Sequence, residues 1–253
     1  MKQNEVRSDT RNALLTRDAL LLVAPVILLT IAPDIFANFL WSLAISILGY
    51  VGLPTDTAGF INWSESLPTF LSSLIAIFLI WFFRTSLPEQ GRRGGRFSIG
   101  ALLLLAYPLV HLAWVMSLFG YLAPTAKIGL GFTTMPQQLP LIVAFGFVVP
   151  IAEEILYRHW LFAIAREKLN LGVGLTALFV AVIWSLIHLP STLGYLQFLL
   201  LLPFGLVLSL ARQMTGGIGL PVLIHCSTNL LFCILPTLTA QELLSILHKF
   251  LPA

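Results

Sequence analysis

The sequence predicts an all-α, polytopic transmembrane bundle, and three observations predict it. Of 253 residues, 58% are hydrophobic, only 10% are charged, and the apolar residues gather in long runs. A soluble domain of ordinary composition is about 25% charged. Fourteen basic and 11 acidic side chains cannot supply a water-facing surface for a chain of this size. Soluble globular, disordered and nucleic-acid-binding classes are excluded on that ground, and the lipid bilayer is the expected partner. The net charge of +3 then reads as loop charge facing anionic lipid. Cys226 and Cys233 share one apolar stretch, which argues against a disulfide framework.

A spanning helix needs about 20 mostly apolar residues. Seven runs qualify: Ala19 to Val51, Leu67 to Phe83, Phe97 to Leu122, Leu139 to Ile164, Leu171 to Leu189, Tyr195 to Ala211 and Ile218 to Leu235. Pro33-Asp34 interrupts the first. It reads as one crossing plus an interfacial or re-entrant piece, or as two short crossings, which would make eight. Its charged start resembles a signal peptide, but apolar sequence continuing to Tyr50 points to a retained anchor.

Basic residues give the expected topology, because cytoplasmic loops collect Lys and Arg. Lys2, Arg7, Arg11 and Arg17 precede the first run, and Arg84, Arg92, Arg93 and Arg96 separate the second from the third. Arg166 and Lys168 follow the fourth, and Arg212 follows the sixth, so 11 of 14 cations lie on alternate loops. An integral, multi-pass protein of the plasma (inner) membrane with a cytoplasmic N-terminus is expected. The chain divides into N-terminal membrane helices (1–138), a helical core (139–236) and an amphipathic, interfacial tail (237–253).

Ionisable side chains inside spans are costly unless paired or wetted, so each is a functional candidate. Residues 139–236 are dense with them. In Glu153-Glu154-Ile155-Leu156-Tyr157-Arg158 the four-residue spacing lets Glu154 pair with Arg158, while Glu153 points about 100° away without a local cation. Glu154 and Arg158 read as a structural pair, and Glu153 as a free base. His188 ends the fifth run. If the fourth and fifth runs form a hairpin turning near Asn170-Leu171, Glu153 and His188 are mirror positions at one depth. His225 and Asn229 share a face of the seventh run, and the distance to the preceding turn puts them at a similar depth. Pro150 is expected to kink the fourth helix. Pro190 is expected to stop the fifth, leaving Ser191 to Gly194 as irregular backbone that is tolerated only beside protein or a wet cavity.

At these residues the sequence resembles the CPBP family of intramembrane proteases, the CAAX-protease and bacteriocin-processing (Abi) group. That family's EExxxR, aromatic-xxx-His and HxxxN elements correspond to Glu153-Glu154…Arg158, Trp184…His188 and His225…Asn229, in that order. Trp184 replaces the more usual phenylalanine, read here as conservative, and His159 replaces the usual glycine after the arginine. The resemblance implies hydrolysis of a peptide bond in a membrane-embedded or lipidated substrate: a prenylated protein, a peptide precursor or a sorting signal. On this reading Glu153 and His188 activate water, His225 and Asn229 donate to the oxyanion, and Glu154 with Arg158 holds the helix. No cofactor is expected. The alternative is zinc held by Glu153, His188 and His225, a two-histidine, one-glutamate donor set. A proton-coupled transporter, or a non-catalytic scaffold or immunity protein, would use the same polar cluster differently. His111 in the third run is expected to be an ordinary helix-face residue.

Overall fold

The computed structural model describes residues 97–129, 139–189 and 193–250, together with isolated helical positions between Ile35 and Phe78. The first two apolar runs, their loop cations and the Pro190 stop lie outside the described residues, apart from those isolated positions. The described part is helical throughout except for one two-stranded ribbon. In chain order it comprises α1 (Phe97–Leu122), β1 (Lys127–Ile128), a long rod α2 (139–167), α3 (Val173–Leu186), α4 (Tyr195–Thr215), α5 (Gly219–Ile234), β2 (Leu238–Thr239) and α6 (Ala240–Phe250). One helix, Tyr195–Thr215, is long and apolar enough to cross a bilayer, and Ala106–Leu122, Val173–Leu186 and Gly219–Ile234 are shorter apolar helices. Large apolar side chains such as Leu109, Leu175, Leu199 and Leu223 face outward. An apolar exterior of this kind suits hydrocarbon rather than water, and the protein is an integral membrane protein.

The rod α2 is not uniformly α-helical. Ala144–Val148 and Glu154–Leu161 are π-helical, on either side of Pro150. Proline lacks a backbone N–H and crowds the preceding turn; the Val149 N–H bonds back five residues to the Ala144 carbonyl. Wide turns thus flank the proline on both sides, a device common at functional sites. α2 and α3 form the expected hairpin. Asn170 takes a positive φ of 51°, which asparagine tolerates better than most residues. Arg166 Nη1 closes the turn by donating to the Leu171 carbonyl at 2.6 Å.

α4 ends on Gly216, whose φ of 69° is the left-handed cap that glycine adopts without cost. It is longer than the apolar run suggests, so Arg212 is a buried helical residue rather than a loop cation. Its Nε donates to the Arg158 carbonyl at 3.1 Å. α3 and α4 pack closely because Gly205 has no side chain: a Cβ there would meet Trp184 at 3.0 Å and Ala181 at 3.1 Å.

α1 is part of the same core. Tyr107 packs with Tyr157, Phe162, Trp184, Phe204 and Ile224. A second cluster joins Val115 and Phe119 of α1 to Leu243 of α6. α6 begins with a capping box: the Thr239 N–H donates to Glu242 Oε2 at 2.7 Å, and the Glu242 N–H donates to Thr239 Oγ1 at 3.2 Å. Both cysteines are free and buried.

Candidate active site

Glu153 closes an α-helical segment of α2, and Glu154 opens the π-helical stretch that follows. The two carboxylates consequently face different surroundings. Glu154 is fully buried. Its Oε1 accepts from Arg158 Nη1 at 3.1 Å and from His225 Nδ1 at 2.8 Å. The Arg158 guanidinium also reaches the Gly205 carbonyl at 3.4 Å and lies 4.5 Å from the centre of the Trp184 ring. Glu154 Oε2, Arg158 Nε and Ser209 Oγ have no hydrogen-bond partner among the described residues. Buried polar atoms of this sort are commonly served by internal water.

Glu153 is more open, with 19% of its side chain exposed. Its Oε2 accepts the Trp184 indole N–H at 2.7 Å. His188 Nε2 stands 3.7 Å from Oε1, and His225 Nε2 stands 3.9 Å from Oε2. The structure thus brings Glu153, His188 and His225 together, from a rod, the end of a helix and a third helix.

The two imidazoles are oriented alike. His188 lies just past α3, in a tightened turn where its N–H bonds to the Ser185 carbonyl at 3.2 Å. Its Nδ1 is 2.7 Å from the Trp184 carbonyl. A carbonyl only accepts, so Nδ1 carries the proton and Nε2 faces Glu153. Glu154, ion-paired to Arg158, imposes the same tautomer on His225. Each histidine is fixed by its far nitrogen and presents Nε2 to the same carboxylate.

Asn229 lies one helical turn beyond His225. Its Nδ2 donates to the Phe145 carbonyl at 2.9 Å, in the first π-helical stretch. That bond ties α5 to α2 and leaves the other amide hydrogen without a partner among the described residues. His159 is half-buried on the rod.

Three features were not anticipated. Glu154 holds His225 as well as Arg158, a contact between residues 71 apart in sequence. Trp184 is not a conservative replacement for phenylalanine, because its indole N–H bonds directly to Glu153. His111 is not a plain helix-face residue either: it is 6% exposed, with its ring 5.9 Å from Tyr107 and 4.8 Å from Phe204. Phe204 in turn lies edge-on to His225 at 5.1 Å. The Trp184 signal was present in the sequence as a donor-bearing aromatic at the aromatic-xxx-His position. Nothing local in the sequence marks His111.

No group of three or more His, Cys, Asp or Glu side chains among the described residues has the arrangement of a metal site. Comparison with known proteins gives one match. Residues 135–231, under half of the chain, match the family described as type II CAAX prenyl endopeptidase Rce1-like. No curated protein and no solved structure matches the chain.

Proposed function

Taking residues 135–231 as an Rce1-like CAAX endopeptidase domain, we propose that this chain is an intramembrane endopeptidase that hydrolyses a peptide bond of a membrane-associated substrate through water activated at Glu153. The observation that supports this best is the paired presentation of two imidazole Nε2 atoms, at 3.7 and 3.9 Å, to one partly open carboxylate. Those gaps are too long for direct hydrogen bonds, and a water seated beside Glu153 and His188 on their exposed side would reach both. The substrate is a prenylated protein, a peptide precursor or a sorting signal, presented from the bilayer.

In the proposed reaction, water held between Glu153 Oε1 and His188 Nε2 loses a proton to that pair as its oxygen bonds to the scissile carbonyl carbon. The carbonyl electrons move onto oxygen. The uncommitted N–H of Asn229 donates to that oxyanion, and His225 Nε2 does so when the imidazole has taken up a separate proton from solvent before the attack. The carbon–nitrogen bond then breaks, and the abstracted proton passes to the leaving nitrogen. Trp184 holds Glu153 in place. Glu154 and Arg158 fix His225 and the rod.

We further propose that the reaction runs without a metal. Were zinc bound, Glu153, His188 and His225 would hold it, and it would supply a Lewis acid for the water. The indole N–H already occupies Glu153 Oε2, which speaks against that use of the carboxylate. Metal analysis of purified protein decides the point: stoichiometric zinc whose removal abolishes cleavage overturns the proposal. The endopeptidase reading is tested with purified protein in liposomes carrying a membrane-anchored reporter polypeptide. Cleavage that survives Glu153→Gln overturns the mechanism. A cytoplasmic N-terminus in the inner membrane remains part of the proposal, testable by accessibility labelling.

A further inference from the structure

An open-mouthed cavity of about 270 Å³ lies beside the Glu153 site, lined by residues of α1, β1, α2, α4 and α5. Asn229 and Phe204 form part of its wall. Because Phe204 also touches His225, the cavity adjoins the reacting groups. Its far end reaches Lys127 to Gly129 in the ribbon.

Most of the wall is apolar, including Val115, Phe119 and Phe232, but it also holds His111, Gln197 and Asn229. His111 is clamped by Tyr107 and Phe204 and makes no hydrogen bond among the described residues. The Gln197 side chain makes none either, and Asn229 uses one amide hydrogen on Phe145. A pure hydrocarbon chain in this space would bury these groups unpaired, at roughly tenfold or more in affinity for each. An extended peptide instead brings amide N–H and C=O groups every 3.3–3.6 Å, roughly the repeat needed to meet several wall groups.

We infer that this cavity is a peptide subsite, taking the substrate segment next to the scissile bond with a bulky apolar side chain, and that His111 is a polar wall group that binds the peptide backbone there. The inference rests on the endopeptidase reading above. Asn229 stands at the junction, joining subsite to reaction. α1, outside the matched segment, would thereby help to choose what the core cuts.

The test uses the full chain in liposomes with membrane-anchored reporters that differ only in the three residues on each side of the cut (Gly, Ala, Leu or Phe) and in the anchor, farnesyl or myristoyl. Val115→Phe narrows the cavity from α1. It should lower kcat/KM about tenfold or more for reporters with Leu or Phe at one flanking position, and spare those with Ala or Gly there. His111→Leu should raise KM about tenfold with kcat held within about twofold, and His111→Gln should restore most of the loss. Where Val115→Phe fails to accumulate, Leu201→Phe narrows the same space from α4. Cavity-narrowing variants that lose activity equally on all reporters or keep the wild-type profile, or a His111→Leu variant with unchanged KM, overturn the inference alone. A profile that follows the anchor rather than the flanking residues also overturns it, in favour of a lipid-chain site. Wild-type protein that cuts no reporter overturns the endopeptidase reading and this inference with it.

Discussion

Glu153 and Glu154 are neighbours in sequence, yet they open onto two unlike regions. On the Glu154 side, the carboxylate and the Arg158 guanidinium are wholly buried and joined by a 3.1 Å ion pair, with Arg212 closing over the Arg158 carbonyl. On the Glu153 side, 19% of the Glu153 side chain and 27% of the His188 side chain are exposed, so a water can approach the carboxylate and the imidazole together. The sealed side is built for rigidity and the open side for chemistry. His225 belongs to both, with Nδ1 in the first and Nε2 in the second. Two identical carboxylates acquire different roles because a helix sends successive residues about 100° apart.

The variants that test this contrast differ widely in effect. Glu153→Gln keeps the shape and removes the base, so cleavage should fall by up to about 10⁴-fold with protein abundance unchanged; a large loss of abundance would make Glu153 structural instead. His225→Ala strikes both regions, and cleavage should fall about 10²–10³-fold with some loss of thermal stability. Glu154→Gln should act through stability first. It leaves the buried Arg158 charge uncompensated, costing about 3–5 kcal/mol, read as a lowered unfolding midpoint in detergent. Trp184→Phe keeps the ring and removes the N–H. It should reduce kcat about tenfold while the melting curve stays put, and an unchanged kcat would show that the indole bond does not position Glu153.

The smallest expected effect lies outside both regions. The Thr239 backbone N–H, and then its hydroxyl, hold the exposed Glu242 carboxyl below its ordinary range. A carboxyl with a depressed value stabilises the folded state above the ordinary carboxyl range, and that support is lost as pH falls through the folded value. The protection factors of amides in the first turn of α6, taken relative to intrinsic exchange at each pH, should therefore fall on acidification, and Glu242→Gln should remove that dependence.

What could be read from the sequence was what repeats or mirrors locally. The Glu154–Arg158 spacing and the placement of Glu153 opposite His188 follow from helix geometry and a single tight turn. The capping box at Thr239 and Glu242 was equally available as a local pattern. The contact of His225 with Glu154 was not, because it depends on how α5 leans on α2. The stacking of His111 on Phe204 depends in the same way on α1 against α4. Trp184 was misjudged for a different reason: hydropathy treats indole and phenyl alike, whereas only the former can donate a proton to a carboxylate. Arg212 was taken for a loop cation because the apolar run ends before the helix does.

The wide turns of α2 make its length a structural constraint. A π-helical stretch accommodates more residues per turn than the segments around it. Deleting one residue between Glu154 and Leu161 would let that stretch rewind as ordinary helix with the residues on either side close to their present phase. Adding one residue there would instead turn everything beyond it by about 100°, and Leu161, Phe162 and Ile164, all buried now, would swing out of register with α3 and α4. Point substitutions on the rod's outer face leave that phase untouched. The rod should accordingly accept a one-residue deletion in its wide turn better than a one-residue insertion.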